Sequence, residues 1–265
     1  RSSDLVIRTV FIDVDGTLTS PRTGRLVPSA AQAIRLARRA GVKVFAATGR
    51  HTKIPAEGKV LEGVGLDGYL ALNGQLCYLA DGTVLREVPM DAEDCRRLMD
   101  LSREMGFSCA VVERGRIYLD TFHEQVRAYH ERMGITPPEV LGFARTDPKR
   151  VLMMMAYLTE AEEAQVAPRL KNSVLVRLNE LGCDVIPRDG GKAAGMLAVL
   201  GALGESPARA MALGDGENDK TMLKAAGVGV AMAHSSAAVR ACADDIAPPV
   251  EEDGILRVFQ KYHLI

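Results

Sequence analysis

Residues 9–18 read Thr-Val-Phe-Ile-Asp13-Val-Asp15-Gly-Thr-Leu, and this stretch guides the interpretation of the whole chain. It predicts a buried strand that ends in two carboxylates, followed by a glycine that permits a sharp turn. Side chains alternate between the two faces of a strand, so Asp13 and Asp15 can point toward the same place. Because two carboxylates this close repel each other, we expect a cation between them.

Two other interpretations of this stretch are available. A solvated Asp-rich turn after a buried strand fits these residues when they are taken alone. A calcium-binding EF-hand loop does not fit. Counting from Asp13, the sixth position is Leu18 where that loop has glycine, and the twelfth is Gly24 where it has glutamate.

Composition limits the classes of protein to consider. With 265 residues and 47% hydrophobic content, the chain is long enough to bury a large core in one or two domains. Lys and Arg number 33 against 34 for Asp and Glu, which gives a formal charge of −1. No excess of positive charge indicates binding to nucleic acid or to an anionic membrane surface.

The distribution of apolar residues and cysteines indicates a soluble cytoplasmic protein. No apolar run approaches the roughly 20 residues that span a bilayer, and residues 1–8 lack the apolar centre of a signal peptide. The five cysteines are far apart and include no Cys-x-x-Cys pair, so we interpret them as buried small hydrophobic residues. We expect a monomer or a weak homo-oligomer that acts on a small molecule.

Short apolar strands alternate with helical patterns in the first and last thirds of the chain, which is typical of a parallel α/β sheet. The first predicted helix, residues 28–40, has a proline near its start and Gly41 after its end. Each predicted strand ends in small or polar residues, and ligands bind at the carboxyl ends of such strands. The later predicted strands and their polar ends are 42–50, 69–74, 208–215 and 228–233.

The pattern changes between about residues 79 and 187. Hairpin-like turns at Asp81-Gly82-Thr83 and at 113–116 are mixed with helical stretches at 92–105 and 160–170. We therefore predict a Rossmann-like parallel-sheet core formed by residues 1–78 and 188–265, with an inserted α+β cap domain at 79–187.

Two motif matches fail on their context. Residues 63–68 fit Gly-x-Gly-x-x-Gly, but they precede an apolar strand, whereas a dinucleotide site follows a strand and opens a helix. Residues 189–193 resemble the end of a phosphate-binding P-loop. Position 186 is isoleucine and Ala193 follows Lys192, so the required glycine and hydroxyl are missing.

One constellation remains, in the order Asp13 and Asp15, Thr48-Gly49, Lys192, and the acidic loop 214–219. This set resembles the haloacid dehalogenase-like phosphatases, specifically their Cof-like branch. The resemblance covers the whole chain, including Leu72-Asn73-Gly74 and residues 252–254. It implies a Rossmann-like core and a large α/β cap over the site.

Phosphoryl chemistry assigns roles to the two leading acids. An aspartate that attacks a phosphate monoester brings an anion toward a dianion, so the site must supply positive charge. We expect Asp13 to be the nucleophile, and Asp15 to protonate the leaving oxygen and later deprotonate a water. A raised pKa would help Asp15, and we expect an enclosed site beside another carboxylate to provide it.

The positive charge is expected from Mg²⁺ held by Asp13 and Asp215, because this ion binds one or two carboxylates and phosphate oxygens. In the family, the Asp15 main-chain carbonyl joins these ligands. Lys192 at a helix start, the Thr48 hydroxyl and backbone N–H groups near Gly49 would bind the phosphoryl oxygens.

The resemblance adds a phosphate contact for Asn218, and it makes Asp219 the residue that orients the metal and the lysine. Asn218 also suits the capping of a helix, and Asn73-Gly74 suits an ordinary turn. His123 and His130 are seven residues apart, and we interpret them as a solvated helix face.

The chain departs from the family pattern at two places. Ala193 replaces the usual glycine after the lysine, and Ala233-His234-Ser235 replaces a common Gly-Asn-Ala. His234 introduces a titrating group near the expected site.

Three functions fit the constellation. The first is a Mg²⁺-dependent phosphatase for small metabolites such as sugar phosphates, and the second is a phosphosugar mutase of the same superfamily. The third is a phosphoacceptor signalling domain, which lacks an inserted cap and an acid two positions after its aspartate.

Overall fold

The structure, a computed structural model, describes residues 6–51 and 59–265. Residues 1–5, part of the segment that argued against a signal peptide, lie outside the described residues. The chain divides into two compact units, one made of residues up to Arg86 together with Gly191–Ile265, and the other of Glu87–Gly190. In the described residues, no helix combines the length and the apolar character that crossing a membrane requires.

Strands and helices alternate over most of the described residues. The strands are β1 (Thr9–Asp13), β2 (Lys43–Ala47), β3 (Gly68–Ala71), β4 (Leu76–Leu79), β5 (Val84–Glu87), β6 (Ser108–Glu113), β7 (Arg116–Leu119), β8 (Met153–Tyr157), β9 (Ser173–Asn179), β10 (Gly182–Pro187), β11 (Ala210–Gly214), β12 (Val228–Met232) and β13 (Asp245–Ala247). The α-helices are α1 (Pro28–Arg39), α2 (Ala92–Met105), α3 (Glu124–Met133), α4 (Glu160–Val166), α5 (Lys192–Leu203), α6 (Lys220–Ala225), α7 (Ala237–Arg240) and α8 (Gly254–Lys261).

The first unit contains an eight-stranded sheet in the order β13-β12-β11-β1-β2-β3-β4-β5. The pairings from β13 to β3 are parallel, and β4 runs antiparallel to β3. The α/β fold class with a parallel-sheet core is therefore confirmed. The parallel arrangement changes at β4, because the short turn after β3 returns the chain directly beside that strand, as a hairpin does.

Both faces of this sheet are covered. Val10 and Ile12 of β1 belong to the apolar cluster on the side of α1 and α8, while Phe11 belongs to the cluster that includes Met196 of α5. All five residues of β1 are buried, as expected for a central strand of a parallel sheet. β1 is thereby fixed between β2 and β11.

Helix α1 follows its sequence signals closely. It begins at Pro28, where the missing N–H of proline leaves no intrahelical bond unmade. It ends at Arg39 rather than residue 40, and Gly41, two residues further on, has φ +90°, a conformation that glycine adopts without strain. Its apolar side, which includes Ile34, lies in the core.

The second unit contains a five-stranded antiparallel sheet in the order β7-β6-β8-β10-β9, accompanied by α2, α3 and α4. The helix predicted at 92–105 is α2, and the turn predicted at 113–116 joins β6 to β7. The α+β character expected of the inserted segment is confirmed.

The bounds of the two units differ from the boundaries expected from sequence. The expected insertion runs from 79 to 187, and the second unit runs from Glu87 to Gly190. Residues 79–86 stay with the first unit because β4 extends to Leu79 and β5 adds an eighth strand at the sheet edge. The turn at 81–83 therefore lies within the first sheet.

The prediction for His130 was wrong. His130 is buried at 5% exposure, and its Nε2 lies 2.9 Å from the Tyr157 hydroxyl, while His123 precedes the first turn of α3. Burial lowers the pKa of His130, since the charged imidazolium loses its hydration. This histidine packs among Tyr129 and Tyr157 instead of facing solvent.

Candidate active site

The site lies at the carboxyl ends of three neighbouring strands in the order β11-β1-β2. β1 ends at Asp13, Thr48 directly follows β2, and Asp215 directly follows β11. Parallel neighbours present their carboxyl ends at the same edge of the sheet. The fold therefore brings together residues that are about 200 positions apart in the sequence.

Lys192 connects two of the acids. Its Nζ donates to Asp13 Oδ1 at 2.5 Å and to Asp219 Oδ1 at 2.6 Å. The lysine and Asp219 side chains are fully buried, and Asp13 is 8% exposed. Lys192 is the first residue of α5, so its backbone position is set by the start of that helix. Charge-assisted hydrogen bonds this short fix the three side chains relative to one another.

Burial and mutual charge determine the pKa values in this group. Burial raises the pKa of Asp13 well above its usual range; Lys192 opposes this, and the neighbouring carboxylates of Asp219, Asp215 and Asp15 add to it. The pKa of Asp219 is raised by burial, with Lys192 again opposing. For Lys192, burial lowers the pKa, but the charges and hydrogen bonds of Asp13 and Asp219 raise it by more. The pKa is therefore raised overall, and the ammonium stays charged.

The loop after β11 is built around the Asp219 carboxylate. Its Oδ2 accepts hydrogen bonds from the backbone N–H of Asp215 at 3.0 Å and of Gly216 at 2.9 Å. A Cβ on Gly214 would lie 2.4 Å from the Asp219 Cγ, so only glycine fits there. With Oδ1 on Lys192 and Oδ2 on the loop, both carboxylate oxygens of Asp219 hold protein groups.

Asp215 contacts two side chains and lies close to the backbone of Gly16. Thr17 donates its hydroxyl to Asp215 Oδ1 at 2.9 Å, and His234 Nε2 lies 3.2 Å from Oδ2. A Cβ on Gly16 would lie 2.4 Å from Oδ2, and Gly16 has φ +93°. The turn after Asp15 thus needs glycine both for its backbone conformation and for the close approach of this carboxylate. His234 is placed at the site, as its position in the sequence indicated.

The described acids offer an arrangement that suits a divalent cation. One carboxylate oxygen from each of Asp13, Asp215 and Asp219 lies within 4.8 Å of the other two. Because Asp219 is occupied by Lys192 and the loop, Asp13 and Asp215 are the carboxylates with capacity for a metal. Hard oxygen ligands of this kind fit Mg²⁺.

Asp15 occupies a different environment from the one expected. Both of its carboxylate oxygens accept from Arg50, at 2.8 Å from Nε and 2.7 Å from a terminal nitrogen, and its side chain is 49% exposed. The sequence indicated an enclosed acid beside another carboxylate, but the side chain turns outward to a bidentate arginine. Asp13, not Asp15, is the enclosed carboxyl group.

The residues expected to bind phosphate form a hydrogen-bonded series. Thr48 is buried, and its carbonyl accepts from the Asn73 N–H at 2.9 Å. Asn73 Oδ1 in turn accepts from Asn218 Nδ2 at 2.9 Å. Gly49 follows Thr48 in the same loop, and the Thr48 hydroxyl accepts the Arg50 N–H at 3.1 Å.

Every residue that the sequence singled out for the site therefore lies at this edge of the first unit. Sequence reasoning did not assign roles to Arg50, which pairs with Asp15, or to Thr17, which holds Asp215. Each lies in the same motif as an assigned residue, so position in the motif was the available signal. Asn73 was considered a turn residue, but its side chain contacts Asn218.

Comparison with known proteins agrees with this geometry. A model of the haloacid dehalogenase-like hydrolase family matches residues 10–259. The phosphatase BT1666 from Bacteroides thetaiotaomicron, of the same superfamily, is 31% identical, covers 100% of this chain and 98% of its own, and superposes with a TM-score of 0.90. The subclass IIB sugar phosphatase BT4131 is 28% identical with a TM-score of 0.89, covering 97% of this chain and 100% of its own.

Similarity extends to a curated phosphatase of another organism. The phosphoglycolate phosphatase of Methanoculleus marisnigri is 29% identical over 261 residues, which cover 97% of each chain. The family model spans nearly the whole chain, and the site residues lie within the span it matches. The chain therefore belongs to the haloacid dehalogenase-like hydrolases, and within them it is a phosphatase of the Cof-like branch.

Proposed function

We propose that this phosphatase hydrolyses small phosphate monoesters, sugar phosphates or similar metabolites, through a phosphoryl group carried on Asp13, with Mg²⁺ as cofactor. The observation that carries the proposal is the position of the Asp13 carboxylate, buried at a strand end between Lys192 and the Asp215 carboxylate. An attacking carboxylate has to approach a phosphate dianion, so it needs positive charge beside it, and the Lys192 ammonium provides such a charge at Asp13 Oδ1.

Asp13 attacks phosphorus and forms an acyl phosphate, and the bond from phosphorus to the ester oxygen breaks. Water then attacks the same phosphorus and releases inorganic phosphate and the free carboxylate. Lys192 holds Asp13 Oδ1 and stays charged through both steps, since its raised pKa keeps the ammonium protonated. Charge developing on the phosphoryl oxygens is stabilised by this fixed cation.

Asp15 gives a proton to the departing ester oxygen and later takes one from the attacking water. It is two residues beyond Asp13, in the turn that directly follows β1. Both of its oxygens accept from Arg50, and each oxygen keeps a second lone pair on which a proton can be carried. Arg50 thereby holds the carboxyl group in place.

Asp13 and Asp215 would hold Mg²⁺, together with the Asp15 main-chain carbonyl that the family implies. The ion would supply positive charge at the phosphoryl oxygens when bound. The site needs this charge, because four described carboxylates, those of Asp13, Asp15, Asp215 and Asp219, are paired with the permanent cations Lys192 and Arg50, and His234 adds a third cation only when it is protonated. A phosphate dianion adds further negative charge to this excess.

In this proposal the second unit, Glu87–Gly190, is a cap that selects the leaving group of the substrate. All residues named for phosphoryl transfer lie in the first unit, so substrate choice is free to vary without changing the chemistry. The sugar phosphatase BT4131 among the similar structures supports sugar phosphates as the first substrates to test.

The test is phosphate release from p-nitrophenyl phosphate and from a panel of sugar phosphates, each with Mg²⁺ and with excess EDTA. We expect turnover only with Mg²⁺, and none from Asp13→Asn, while the exposed control Glu62→Gln keeps the wild-type rate. Full turnover in EDTA would refute the metal assignment. Turnover of Asp13→Asn near the wild-type rate would refute the nucleophile.

Asp15→Asn separates the two steps. It removes proton transfer, worth about 10²- to 10⁴-fold, but keeps the attacking carboxylate. With a good leaving group, the second step becomes limiting, so phosphate on Asp13 should accumulate and be detected by mass spectrometry after an acid quench. Equal losses for good and poor leaving groups, with no trapped phosphate, would contradict this role. Product analysis with a hexose phosphate distinguishes hydrolysis from the mutase reaction.

A further inference from the structure

The turn Leu72–Gly74, directly after β3, has an unusual backbone. Leu72 has φ +52°, Asn73 has φ +53° and Gly74 has φ +85°, so three consecutive residues lie in the left-handed region. Only four non-glycine residues in the described part of the chain have positive φ, and two of them are these neighbours. For a branched residue such as leucine this conformation is strained, and it persists only where the surroundings impose it.

The surroundings hold this turn on its backbone. The N–H of Leu72 donates to the Arg50 carbonyl at 3.2 Å, and the N–H of Asn73 donates to the Thr48 carbonyl at 2.9 Å. Arg86 Nε donates to the Gly74 carbonyl at 3.0 Å. The turn is thereby tied to the loop after β2, which carries the proposed phosphate-binding residue Thr48.

A close glycine contact ties the same turn to the start of α5. A Cβ on Gly74 would lie 2.6 Å from the Gly191 carbonyl oxygen, and a Cβ on Gly195 would lie 2.7 Å from the Gly74 Cα. No side chain fits between these backbones. The strained turn therefore fixes where α5 begins, and Lys192 is the first residue of that helix.

The side chain of Asn73 is buried at 1% exposure, and its Oδ1 accepts from Asn218 Nδ2 at 2.9 Å. An asparagine amide group carries two N–H donors on one end and an oxygen on the other. The hydrogen bond to Asn73 uses one N–H of the Asn218 amide nitrogen. The second N–H, on the same nitrogen, is left to donate to another acceptor. The hydrogen bond also prevents rotation that would turn the Asn218 oxygen toward an anion.

We propose that Asn73 is a positioning residue for phosphate binding, which holds the Asn218 amide so that its free N–H faces the phosphoryl group. The strained turn sets the place of Asn73 relative to Thr48 and Lys192. The inference rests on the proposed function, in which Asn218 contacts phosphate, and it adds a role for a residue that does not itself touch the substrate.

Asn73→Gly tests the side chain alone, because glycine adopts φ +53° without strain. The measurement is the affinity of the Mg²⁺-loaded protein for inorganic phosphate, by titration calorimetry. We expect affinity to fall about 2- to 12-fold, the effect of one neutral hydrogen bond. His263→Gly is the matched control, since His263 also has positive φ but is exposed near the end of the chain, and phosphate affinity should not change.

A double-mutant cycle shows whether Asn73 acts through Asn218. Asn218→Ala alone should weaken phosphate binding about 10- to 150-fold, the range for a hydrogen bond to a charged group. Adding Asn73→Gly to that variant should then change affinity less than twofold. A merely structural role of Asn73 would instead weaken binding by the same factor in both backgrounds.

Three outcomes would overturn the proposal: unchanged phosphate affinity in Asn73→Gly, unchanged affinity in Asn218→Ala, or additive losses in the double variant. Circular dichroism should show wild-type folding for each variant. The proposed hydrolysis fails separately. If phosphate binding follows the double-mutant cycle as expected but no monoester is hydrolysed, the positioning role of Asn73 is supported and the proposed hydrolytic function is refuted.

Discussion

Replacing the buried lysine tests the energetics of the site most directly. Lys192→Met keeps a side chain of similar length but removes the ammonium from between Asp13 and Asp219. Two hydrogen bonds, of 2.5 and 2.6 Å, are lost, and both carboxylates stay buried without their cation. Breaking a buried pair from one side costs about 3–5 kcal/mol. For a chain of this size, that corresponds to a fall in Tm of about 6–20 °C.

The loss should depend on pH in a defined direction. Burial already raises the pKa of Asp13 above the ordinary value of 3.8 for an aspartate, with Lys192 opposing the rise. Removing the lysine raises this pKa further, so the folded variant binds more protons than the unfolded chain above pH 3.8. A group of this kind loses stability as pH rises toward its folded pKa. Lys192→Met should therefore approach the wild type in acid and differ most at neutral pH.

The assay is thermal and urea unfolding of both proteins between pH 4.5 and 8, with phosphate release measured in parallel. Lys220→Met is the matched control, because its Nζ lies 2.8 Å from Glu217 in an exposed pair, with the lysine side chain 32% accessible. Such surface pairs contribute little to stability. A Lys192→Met protein with the wild-type Tm at pH 7.5, or one that is destabilised most in acid, would refute the reasoning.

Two further predictions concern the turn at Gly16 and the second unit. Gly16→Ala places a methyl group 2.4 Å from Asp215 Oδ2 at a residue with φ +93°. This should displace the Asp215 carboxylate and weaken metal binding, so the Mg²⁺ concentration for half-maximal activity should rise more than about tenfold. Gly24→Ala, with φ +64° and no atom within 4 Å of the added carbon, is the control, and equal behaviour of both variants would contradict the prediction. Replacing residues 88–190 with a Gly/Ser linker removes the second unit but keeps all of β5. The remaining unit should still hydrolyse p-nitrophenyl phosphate but should lose its activity on the sugar phosphate that the full chain hydrolyses best. Equal retention of both activities would show that the cap does not select substrates.

The sequence predicted the central part of the fold because its signals are local. Apolar runs that end in polar residues located β1, β2, β11 and β12, and Pro28 with Gly41 located α1 to within one residue. The edge of the sheet was not predictable in the same way. The hairpin of β4 and β5 looks like a hairpin of any antiparallel sheet, and only tertiary packing assigns it to the first unit.

The sequence predicted which residues form the site but not which side chains contact one another. Residue types and order were enough to collect Asp13, Lys192 and Asp219. The outward pairing of Asp15 with Arg50 depends on side-chain geometry, which no spacing of residues expresses. Burial of His130 was missed for a related reason, since its partner Tyr157 lies 27 residues away on another element. The assigned catalytic roles stay predictions until the variants are measured.

The place of β1 between β2 and β11 has a consequence for how the chain reaches its folded state. The residues of β2 are synthesised early, but those of β11, the other neighbour of β1, are synthesised only after the whole second unit. The free-energy cost of closing a flexible loop grows only logarithmically with its length, about 0.6 kcal/mol for each doubling. An insertion between these strands can therefore lengthen or shorten at small cost to the sheet. The site itself can be completed only when β11, in the last third of the polypeptide, has been synthesised.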